Sequence, residues 1–515
     1  MKLSKNAKIV LSKFIGRSSK GKITEKPEAM FKRVAKTIAK VDRKYHQDPE
    51  KSEKEFLKAM ENLEFLPSIP ILANAGRRLN QLAACFVLPI PDNLQGIFEA
   101  VENMAVIQKS GGGTGFSFSH LRPEKSLVKD SGGVASGPVS FMYVFDCATG
   151  SIKEGGIRRG ANMGVLNVEH PDIEKFIKCK DKGGFTNFNI SVALTDKFMK
   201  LKDKKSKKLF NMVCQHAWLT GDPGILFIDT INKHNPTPNL GKIEASNPCG
   251  ETPLLPYESC ILGSINLEKV VDKGTINYPK LARLVELSIH FLDNCIDATS
   301  FPLTEIEHIV RENRKIGLGV MGFANMLVLL GIRYDSKQAV KLAKELMSFI
   351  QSKAHMASNE LAEKRGEFPN FQHSTLRGSM KMRNATCTTI APTGTIAIIA
   401  DTSPGIEPIF DLVFKRHTHF GTLIETNPLL KKIKNKKLFV TAHQVPSEYH
   451  VKIQAAFQKY TDNAVSKTVN LPTNAKVSDI KKIFLLAHKL GCKGLTIYRH
   501  KSKPKQVLDF CPKCK

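Results

Sequence analysis

The sequence predicts an α/β protein with a helical N-terminal region. Between residues 81 and 270, short apolar runs alternate with Gly-rich turns, a pattern typical of α/β structure. Long amphipathic runs at 281–298, 305–316 and 337–365 predict helices after that region. The 515 residues are 42% hydrophobic, which is ample for a large core. No window approaches the roughly 18 uninterrupted apolar residues of a membrane span.

The remaining elements are predicted from local signals. Residues 1–80 are predicted to be helical, since PEAMFKRVAKTIAKVDRKYH forms an amphipathic run that begins with Pro. The stretch 387–408 is predicted as strand, loop and strand, and a helix at 479–491 precedes a further strand. Residues 501–515 form a polar, Lys-rich tail that we expect to be flexible.

Charge and cysteine content narrow the class of protein. The net charge of +29 points to polyanionic partners such as nucleotides, nucleic acid or anionic surfaces. The lysines are spread along the chain without interleaved aromatic residues, so solvated faces or a phosphate-bearing small substrate explain them, and no specific nucleic-acid surface is predicted. Eleven cysteines without regular spacing do not form a secreted disulfide framework. We therefore expect a cytoplasmic protein.

Three Gly-containing stretches are candidates for holding phosphate. SGGGTGFSF at 110–118 lacks the Lys-Ser/Thr ending of a P-loop, although its glycines let a ligand approach the backbone. GLGVMG at 317–322 follows a helix and has no acid about 20 residues on, so it is interpreted as helix packing. APTGTIAII at 391–399 offers backbone N–H groups and hydroxyls to an anion, and an ordinary turn explains it equally well.

The cysteines fall into three groups. SNPCGETPLLPYESCILGSINL, at 246–267, crowds two thiols, an amide and a carboxylate into a segment whose Pro and Gly residues exclude a long helix. Cys511 and Cys514 in the tail have the spacing of half a zinc site, but they suit disulfide exchange equally well, and both interpretations stay open from the residues alone. The remaining cysteines, apart from Cys85, are interpreted as small core hydrophobes: Cys147, Cys179, Cys214, Cys295, Cys387 and Cys492.

Six stretches, taken in order, resemble one family. They are QLAACFVLP, SGGGTGFSFSHLRP, GGVASGPVSFMYVFD, RRGANMGVL, NPCGETPLLPYESCILGSINL and APTGTIAIIADTSPGIEP. Together they closely resemble the adenosylcobalamin-dependent (class II) ribonucleotide reductases, from about residue 3 to the terminal CPKCK. The resemblance implies a ten-stranded α/β barrel of two five-stranded halves over residues 81–500, with a central finger loop that carries a radical cysteine. An ATP-cone is not visible, so a compact form is expected.

The resemblance also implies roles for five residues. Cys249 would become a thiyl radical that takes the 3′-hydrogen of the substrate ribose. Cys85 and Cys260 would reduce the sugar as its 2′-hydroxyl leaves as water, and would end as a disulfide. Glu251 would be the general base at the 3′-hydroxyl, and Asn247 would hold the ribose. A disulfide requires Cα atoms within about 7 Å, and Cys85 lies far from Cys260 in sequence, so only the fold can bring the pair together.

Further sites follow from the same resemblance. Substrate would be held by Ala84, Gly113, Pro392, Thr393, Gly394, Thr395 and Ile396. A nucleoside triphosphate effector, bound at a homodimer interface, would be contacted by Asp146, Arg158, Arg159 and Asn162. Cys511 and Cys514 would reduce the Cys85–Cys260 disulfide and would then be reduced by thioredoxin or a similar dithiol. Ile69 and Ala84 replace hydroxyl-bearing residues that are common in the family, which predicts an altered substrate preference or a lower activity.

Adenosylcobalamin is the expected radical source. The chain has no adjacent Tyr pair of the aerobic class and no C-terminal glycyl-radical segment. One alternative is a class I-like large subunit that needs a separate radical-generating subunit. A second alternative, suggested by the charge and CPKCK, is a basic zinc-binding nucleic-acid module, which would leave NPCGE and Cys85 unexplained. No metal ligands are assigned.

Overall fold

The computed structural model describes residues 3–16, 22–128, 132–154, 158–418, 421–503 and 507–511. The helices are α1 Lys5–Leu11, α2 Pro27–Ala39, α3 Pro49–Glu61, α4 Ile69–Asn74, α5 Leu94–Lys109, α6 Pro138–Ser151, α7 Ile173–Lys178, α8 Asp196–Met199, α9 Lys204–Thr220, α10 Ile228–Lys233, α11 Tyr278–Ala298, α12 Thr304–Asn313, α13 Phe323–Leu329, α14 Lys337–Arg365, α15 Gly394–Ala400, α16 Ser447–Gln458 and α17 Val477–Lys489.

The strands are β1 Phe65–Pro67, β2 Cys85–Leu88, β3 Gly113–Ser117, β4 Lys153–Glu154, β5 Arg158–Arg159, β6 Asn162–Asn167, β7 Phe188–Leu194, β8 Gly224–Phe227, β9 Ala245–Ser246, β10 Pro253–Leu254, β11 Ser259–Asn266, β12 Val271–Asp272, β13 Thr275–Ile276, β14 Ile316–Met321, β15 Val413–Thr418, β16 Gly421–Thr426, β17 Thr468–Leu471, β18 Gly494–Arg499 and β19 Leu508–Phe510.

The N-terminal region is mainly helical, and local signals explain its helices. Helix α2 begins at Pro27, a residue that suits a first turn, and the Asp48 carboxylate accepts hydrogen bonds from two backbone N–H groups at the start of α3. The buried faces of α2 and α3 pack against each other and against α11. The region is not purely helical, because β1 pairs with β11 of the barrel. Backbone hydrogen bonds therefore join the N-terminal region to the barrel.

The large sheet consists of two parallel halves. In the first half, β2, β3, β6, β7 and β8 pair in that order, all parallel. In the second half, β11 pairs with β14 and β17 pairs with β18, again parallel. Two parallel bridges, Leu318 with Thr388 and Ile390 with Val465, connect those two pairs. The segment around 388–390 is thus the fifth strand of the second half.

Antiparallel pairing closes the barrel. Strand β11 pairs with β2 at one junction, and β18 pairs with β8 at the other. The predicted ten-stranded barrel of two five-stranded halves is confirmed by this arrangement. One apolar cluster, which includes Cys85, Val87, Met163, Ala193 and Cys260, is separate from the much larger cluster formed by the helices and the outward sheet faces. It lies on the alternate strand positions that face the barrel interior.

The predicted second strand within 387–408 is wrong. The residues GTIAIIA form helix α15 instead, despite their three isoleucines. Five of its seven residues are buried, so burial against the core outweighs the β propensity of isoleucine. No helix within the described ranges combines the length and the hydrophobicity that a membrane span requires.

Candidate active site

A short hairpin projects a loop into the barrel. Strands β9 and β10 pair antiparallel, and residues 247–252 connect them. Asn247 holds the loop in shape: its side-chain oxygen accepts a hydrogen bond from the Thr252 N–H at 3.0 Å, and its carbonyl accepts one from the Gly250 N–H at 3.0 Å. Gly250 has a φ of +80°, which favours glycine there. We call residues 247–252 the finger loop.

The Gly-rich strand β3 lets the finger loop approach closely. A Cβ on Gly115 would lie 1.9 Å from the Ser246 carbonyl oxygen, and a Cβ on Gly113 would lie 3.0 Å from Pro248 Cγ. Asn189 on β7 donates a hydrogen bond to the Pro248 carbonyl at 2.7 Å. The glycines of SGGGTGFSF therefore make room for protein backbone. Asn189 was missed by the sequence reasoning, because no local pattern distinguishes it.

Cys85 and Cys260 lie directly opposite each other on β2 and β11. Residues opposite each other in an antiparallel pair have Cα atoms about 4.5–5.5 Å apart, which is within the range of a disulfide. Both thiols are buried and reduced. The Asn247 side-chain N–H donates to Cys85 Sγ at 3.1 Å, so the finger loop contacts this pair directly.

Glu251 is a buried carboxyl beside the two thiols. It is 2% exposed, and its Oε2 atom has no hydrogen-bond partner among the described residues. Burial raises the pKa of Glu251 to about 7, against a smaller lowering by the Asn247 side chain. Burial, and then the nearby Glu251 charge, raise the pKa of the Cys85 and Cys260 thiols well above the usual range. The pair is therefore protonated at neutral pH and can give hydrogen or protons.

Cys249, at the tip of the finger loop, faces a cavity of about 540 Å³. The cavity wall also includes Asn189, Pro392 and Gly394, and aromatic residues from the segment around β15. Its volume lies within the range of roughly 300–1,000 Å³ that is usual for small-molecule sites. Among the five core residues predicted from sequence, four thus meet in a buried cluster, and Cys249 faces the adjoining cavity.

The predicted substrate loop lies in the same cavity wall. Pro392 and Gly394 line it, while Thr393 has a φ of +54° and its hydroxyl accepts a hydrogen bond from the Gly405 N–H at 2.7 Å. Thr395 is partly exposed and Ile396 is buried, both in α15. Two other predicted positions lie apart from this loop. Ala84 packs on the edge of the barrel-interior cluster, and Ile69 begins α4 and packs against the outer core.

The predicted effector residues lie on different elements. Asp146 of α6 accepts a hydrogen bond from the Asn187 N–H at 2.9 Å. Asn162 is fully buried. Its side-chain oxygen accepts hydrogen bonds from the Gln108 amide at 2.9 Å and the Thr114 hydroxyl at 2.6 Å, and its side-chain N–H donates to the Thr149 hydroxyl at 2.8 Å. The backbone of Arg158 and Arg159 forms β5 opposite β4, while their side chains lie outside the described part of the chain.

The C-terminal segment forms a strand. Strand β19 pairs antiparallel with β15, and Cys511 follows it directly. Cys511 is buried and disulfide-bonded. Cys514 lies outside the described residues.

One cluster outside the barrel interior has the residue types of a metal site. His355, Cys387 and Asp462 bring their ligand atoms within 4.8 Å of one another. The Asp462 carboxylate already accepts hydrogen bonds from Gln351, from His355 and from the backbone N–H groups of Cys387 and Thr388. Burial raises the pKa of the Cys387 thiol, which disfavours the thiolate that a metal would need. The cluster is a satisfied hydrogen-bond network.

The fold and the site define a barrel enzyme in which a finger-loop cysteine adjoins a buried dithiol and carboxyl. Comparison with known proteins agrees. The family model for the barrel domain of ribonucleotide reductase matches residues 83–207, 200–381 and 379–498, and the model for its all-alpha domain matches residues 1–80. The chain therefore belongs to the ribonucleotide reductase family.

Individual relatives support this assignment. The chain is 48% identical, over 88% of its length and 66% of that protein, to the vitamin B12-dependent ribonucleoside-diphosphate reductase of Thermoplasma acidophilum. It is 41% identical, over 99% of its length and 80% of that protein, to the protein of the same name from Mycobacterium tuberculosis. The class Id ribonucleotide reductase alpha subunit of Actinobacillus ureae has a similar fold, with a TM-score of 0.80, 23% identity and 97% coverage of both chains.

Proposed function

We propose that this ribonucleotide reductase converts ribonucleoside diphosphates into 2′-deoxyribonucleotides with adenosylcobalamin as its radical source. The similar proteins from Thermoplasma and Mycobacterium are named vitamin B12-dependent ribonucleoside-diphosphate reductases. The observation that carries the proposal is the opposed Cys85–Cys260 pair, contacted by Asn247 and adjoining Glu251. Nine reduced cysteines among the described residues support a reducing compartment, for which we propose the cytoplasm.

The residues give a balanced reaction. A Cys249 thiyl radical takes the 3′-hydrogen, so that an S–H bond forms and a C–H bond breaks. The Glu251 carboxylate accepts the 3′-hydroxyl proton, and a thiol of the Cys85–Cys260 pair protonates the departing 2′-hydroxyl, which leaves as water. The pair supplies two electrons and its second hydrogen, which is transferred to C2′, and it becomes a disulfide. Glu251 returns its proton to the 3′-oxygen, and Cys249 then returns the 3′-hydrogen. Cys249 is exposed to the cavity, and substrate and cofactor bound there would exclude water from the radical.

The cavity next to Cys249 has both aromatic and polar walls. Phe410, Phe414 and Tyr498 contribute aromatic side chains to a wall that also carries polar groups. We propose that adenosylcobalamin, which supplies the initiating radical when bound, would be held by Tyr498 and the Cys249 side of this cavity, and by Phe410 and Phe414 once β19 has left them. The protein's own part is to hold Cys249 at the cavity wall by the Asn189 bond to Pro248.

We further propose where substrate, effector and reductant bind. The segment 392–396, which borders the cavity, would hold the substrate phosphates, while Ala84, just before β2, and Gly113 of β3 would contact the substrate from the barrel side. Asp146, Arg158 and Arg159 would contact a nucleoside triphosphate, whereas the buried Asn162 would position β6. Exposed apolar side chains on neighbouring helices α5 and α6, such as Phe98 and Tyr143, support a homodimer contact there. A thioredoxin-like dithiol would renew the tail cysteines.

The test is an anaerobic assay with a ribonucleoside diphosphate, dithiothreitol and adenosylcobalamin. Wild type, Cys249→Ser and Cys179→Ser are compared, since Cys179 is a partly exposed cysteine that lies outside the site. We expect deoxynucleotide from wild type and Cys179→Ser, only with the cofactor, and none from Cys249→Ser. Triphosphates run in parallel decide the substrate class.

Two other outcomes would contradict the proposal. If deoxynucleotide forms without cobalamin but only after a radical-generating subunit is added, the class I-like alternative is favoured. Stoichiometric zinc together with tight, salt-sensitive DNA binding and no reductase activity would favour the zinc-binding nucleic-acid module.

A further inference from the structure

Strand β15 pairs with a strand near the C-terminal end of the chain. Strands β15 and β16 form a hairpin, and β19 adds to β15 as a third strand. The register places Phe414 opposite Phe510, Lys415 opposite Asp509, and Arg416 opposite Leu508. A further backbone bond runs from the His417 N–H to the Val507 carbonyl at 2.8 Å. The last described segment of the chain is thus in a defined register.

Apolar packing supports this pairing. Phe410, Phe414 and Ala442 form a small buried cluster separate from the two larger ones, and Leu508 covers it. The Phe510 ring stacks on Phe410 with a centroid distance of 5.6 Å and an interplanar angle of 27°. The rings of His443 and His500 also contact Phe510, at 5.3 and 5.1 Å. We call β15 with Phe410, Ala442, His443 and His500 the tail seat.

The charges and the burial of residues 507–511 also indicate that this segment fits the tail seat. Lys415 and Asp509 are opposite charges at directly facing positions of the two strands, a pairing that stabilises a sheet. Cys511, one residue beyond β19, is only 1% exposed. Leu508 lines the same cavity as Cys249, so the docked strand forms part of the wall of the catalytic cavity.

We propose that the tail seat is a docking site for residues 507–511 of this chain and holds the redox tail between turnovers. In the docked state the Cys511 sulfur is shielded from solvent, so an external dithiol attacks that sulfur only after β19 leaves the seat. The external dithiol is then oxidised to a disulfide as the tail disulfide is reduced to two thiols. The redox role of the tail rests on the proposed function, but the docking does not.

The contacts of β19 with the tail seat are few enough for docking to be reversible. Strand β19 has three residues, lies at a sheet edge and covers a cluster of only three buried side chains. Segments with few backbone bonds and little buried apolar surface open at low free-energy cost. The seat can therefore both protect Cys511 and release it many times in the lifetime of the enzyme.

The test measures the rate at which a water-soluble phosphine reduces the Cys511 disulfide in the full-length protein, read by alkylation and mass spectrometry of the C-terminal peptide. Phe510→Ala removes the ring stack, and loss of an aromatic pair predicts reduction about fivefold faster than in wild type. Leu490→Ala is the control, because Leu490 is about as exposed as Phe510 and lies on a different element. It should react at the wild-type rate.

A charge swap provides a second test that does not depend on packing. Lys415→Glu should speed reduction, and the double variant Lys415→Glu with Asp509→Lys should restore the slow rate. Equal rates in wild type, Phe510→Ala and Lys415→Glu would overturn the proposal. Protection that vanishes on dilution to the monomer would also overturn it, because the tail would then dock on a second copy. If wild type and all variants fail to make deoxynucleotide but still differ in the rate of Cys511 disulfide reduction, only the proposed function is contradicted.

Discussion

The Cys85–Cys260 pair lies on two β-strands and Cys511 directly follows another, but the two sheets differ in how firmly they hold these cysteines. Cys85 and Cys260 lie on β2 and β11, at a junction of the closed ten-stranded barrel, and face a buried apolar interior. Cys511 follows a three-residue edge strand in a sheet of three strands. The barrel pair is fixed on both sides by neighbouring strands, whereas β19 is bound on one side only.

This difference matches the chemistry proposed for each site. Hydrogen transfer between a thiol and a ribose requires side chains that hold their geometry closely, and a closed barrel has no free edge that could shift. A tail that exchanges disulfides must instead leave one site and enter another. A short edge strand with a small apolar contact provides that freedom. Cysteines at the two sites should therefore respond differently to substitution.

The largest expected effect separates the two sites directly. Cys249→Ser should abolish deoxynucleotide formation with any reductant, because a hydroxyl cannot replace the thiyl radical. Cys511→Ser should keep turnover with dithiothreitol, which is small enough to reach the barrel, and should lose turnover with a thioredoxin-type protein. Assays with both reductants and circular dichroism of both variants check this. If Cys511→Ser loses as much activity with dithiothreitol as Cys249→Ser does, the tail is needed inside the barrel whichever reductant is used.

Glu251→Gln should have the next largest effect, a decrease in kcat of about 10²–10⁴-fold, which is typical when a general base is removed. Since the pKa of Glu251 is raised to about 7, wild-type activity should rise with pH through that value as the carboxylate forms. Stability should change in the opposite direction. The folded state keeps this proton to higher pH than the unfolded state, so stability is lost as pH rises from about 4.5 to 7, by about 3 kcal/mol.

Measurements of kcat/KM and of thermal unfolding at pH 5 to 8 check both signs. The Gln variant is the control, because it cannot titrate and should lose this part of the pH dependence of stability. A pH-independent kcat/KM in wild type would contradict the assignment of Glu251 as the base.

Much of this organisation follows from the sequence, and particular residues show why. The order of the six motifs predicted the barrel only through their resemblance to a known family, because local patterns indicate α/β structure without its closure. NPCGE predicted the crowding of Asn247, Cys249 and Glu251, since these residues are close in the chain. The partner of Cys260 was identified only through resemblance, because the register of β2 against β11 is a property of the folded sheet.

Other features could not be predicted from local patterns. The close approach of Gly113 to Pro248 joins segments far apart in sequence, and no local signal reveals it. Helix α15 forms where isoleucines favoured a strand, because its surroundings are buried. The tail was expected to be flexible, yet β19 has a defined partner, since no local signal reveals that Phe410 and Phe414 leave a site for it.

Gly115→Ala should destabilise the barrel by about 3 kcal/mol, because the new methyl group would overlap the Ser246 carbonyl and overpacking of this kind is costly. Displacement of the finger loop should also lower activity. Gly184→Ala is the matched control, since its Cβ would meet only an ordinary contact at 3.6 Å. Urea unfolding of both variants measures the difference. Equal stability of Gly115→Ala and Gly184→Ala would show that the finger loop shifts without destabilising the protein.

The smallest expected effect concerns the pH dependence of tail docking. Burial lowers the pKa of both His443 and His500. His500 lowers the pKa of His443 further, against Asp411, and Lys501 lowers the pKa of His500 further, against Asp509. The docked state therefore favours neutral imidazoles, and docking should weaken as pH falls below about 6.5, the ordinary histidine value.

The measurement is the Cys511 reduction rate of Phe510→Ala divided by that of wild type at each pH. The pH dependence of the reductant cancels in this ratio. This ratio should fall from about fivefold at pH 7.5 to about twofold at pH 5.5, as protonation of an imidazole releases the wild-type tail. His443→Gln together with His500→Gln should hold the ratio constant over the same range. A wild-type ratio that does not change with pH would show that the rings contact Phe510 only as apolar surfaces, and that the charge state of the seat does not control how often β19 leaves it.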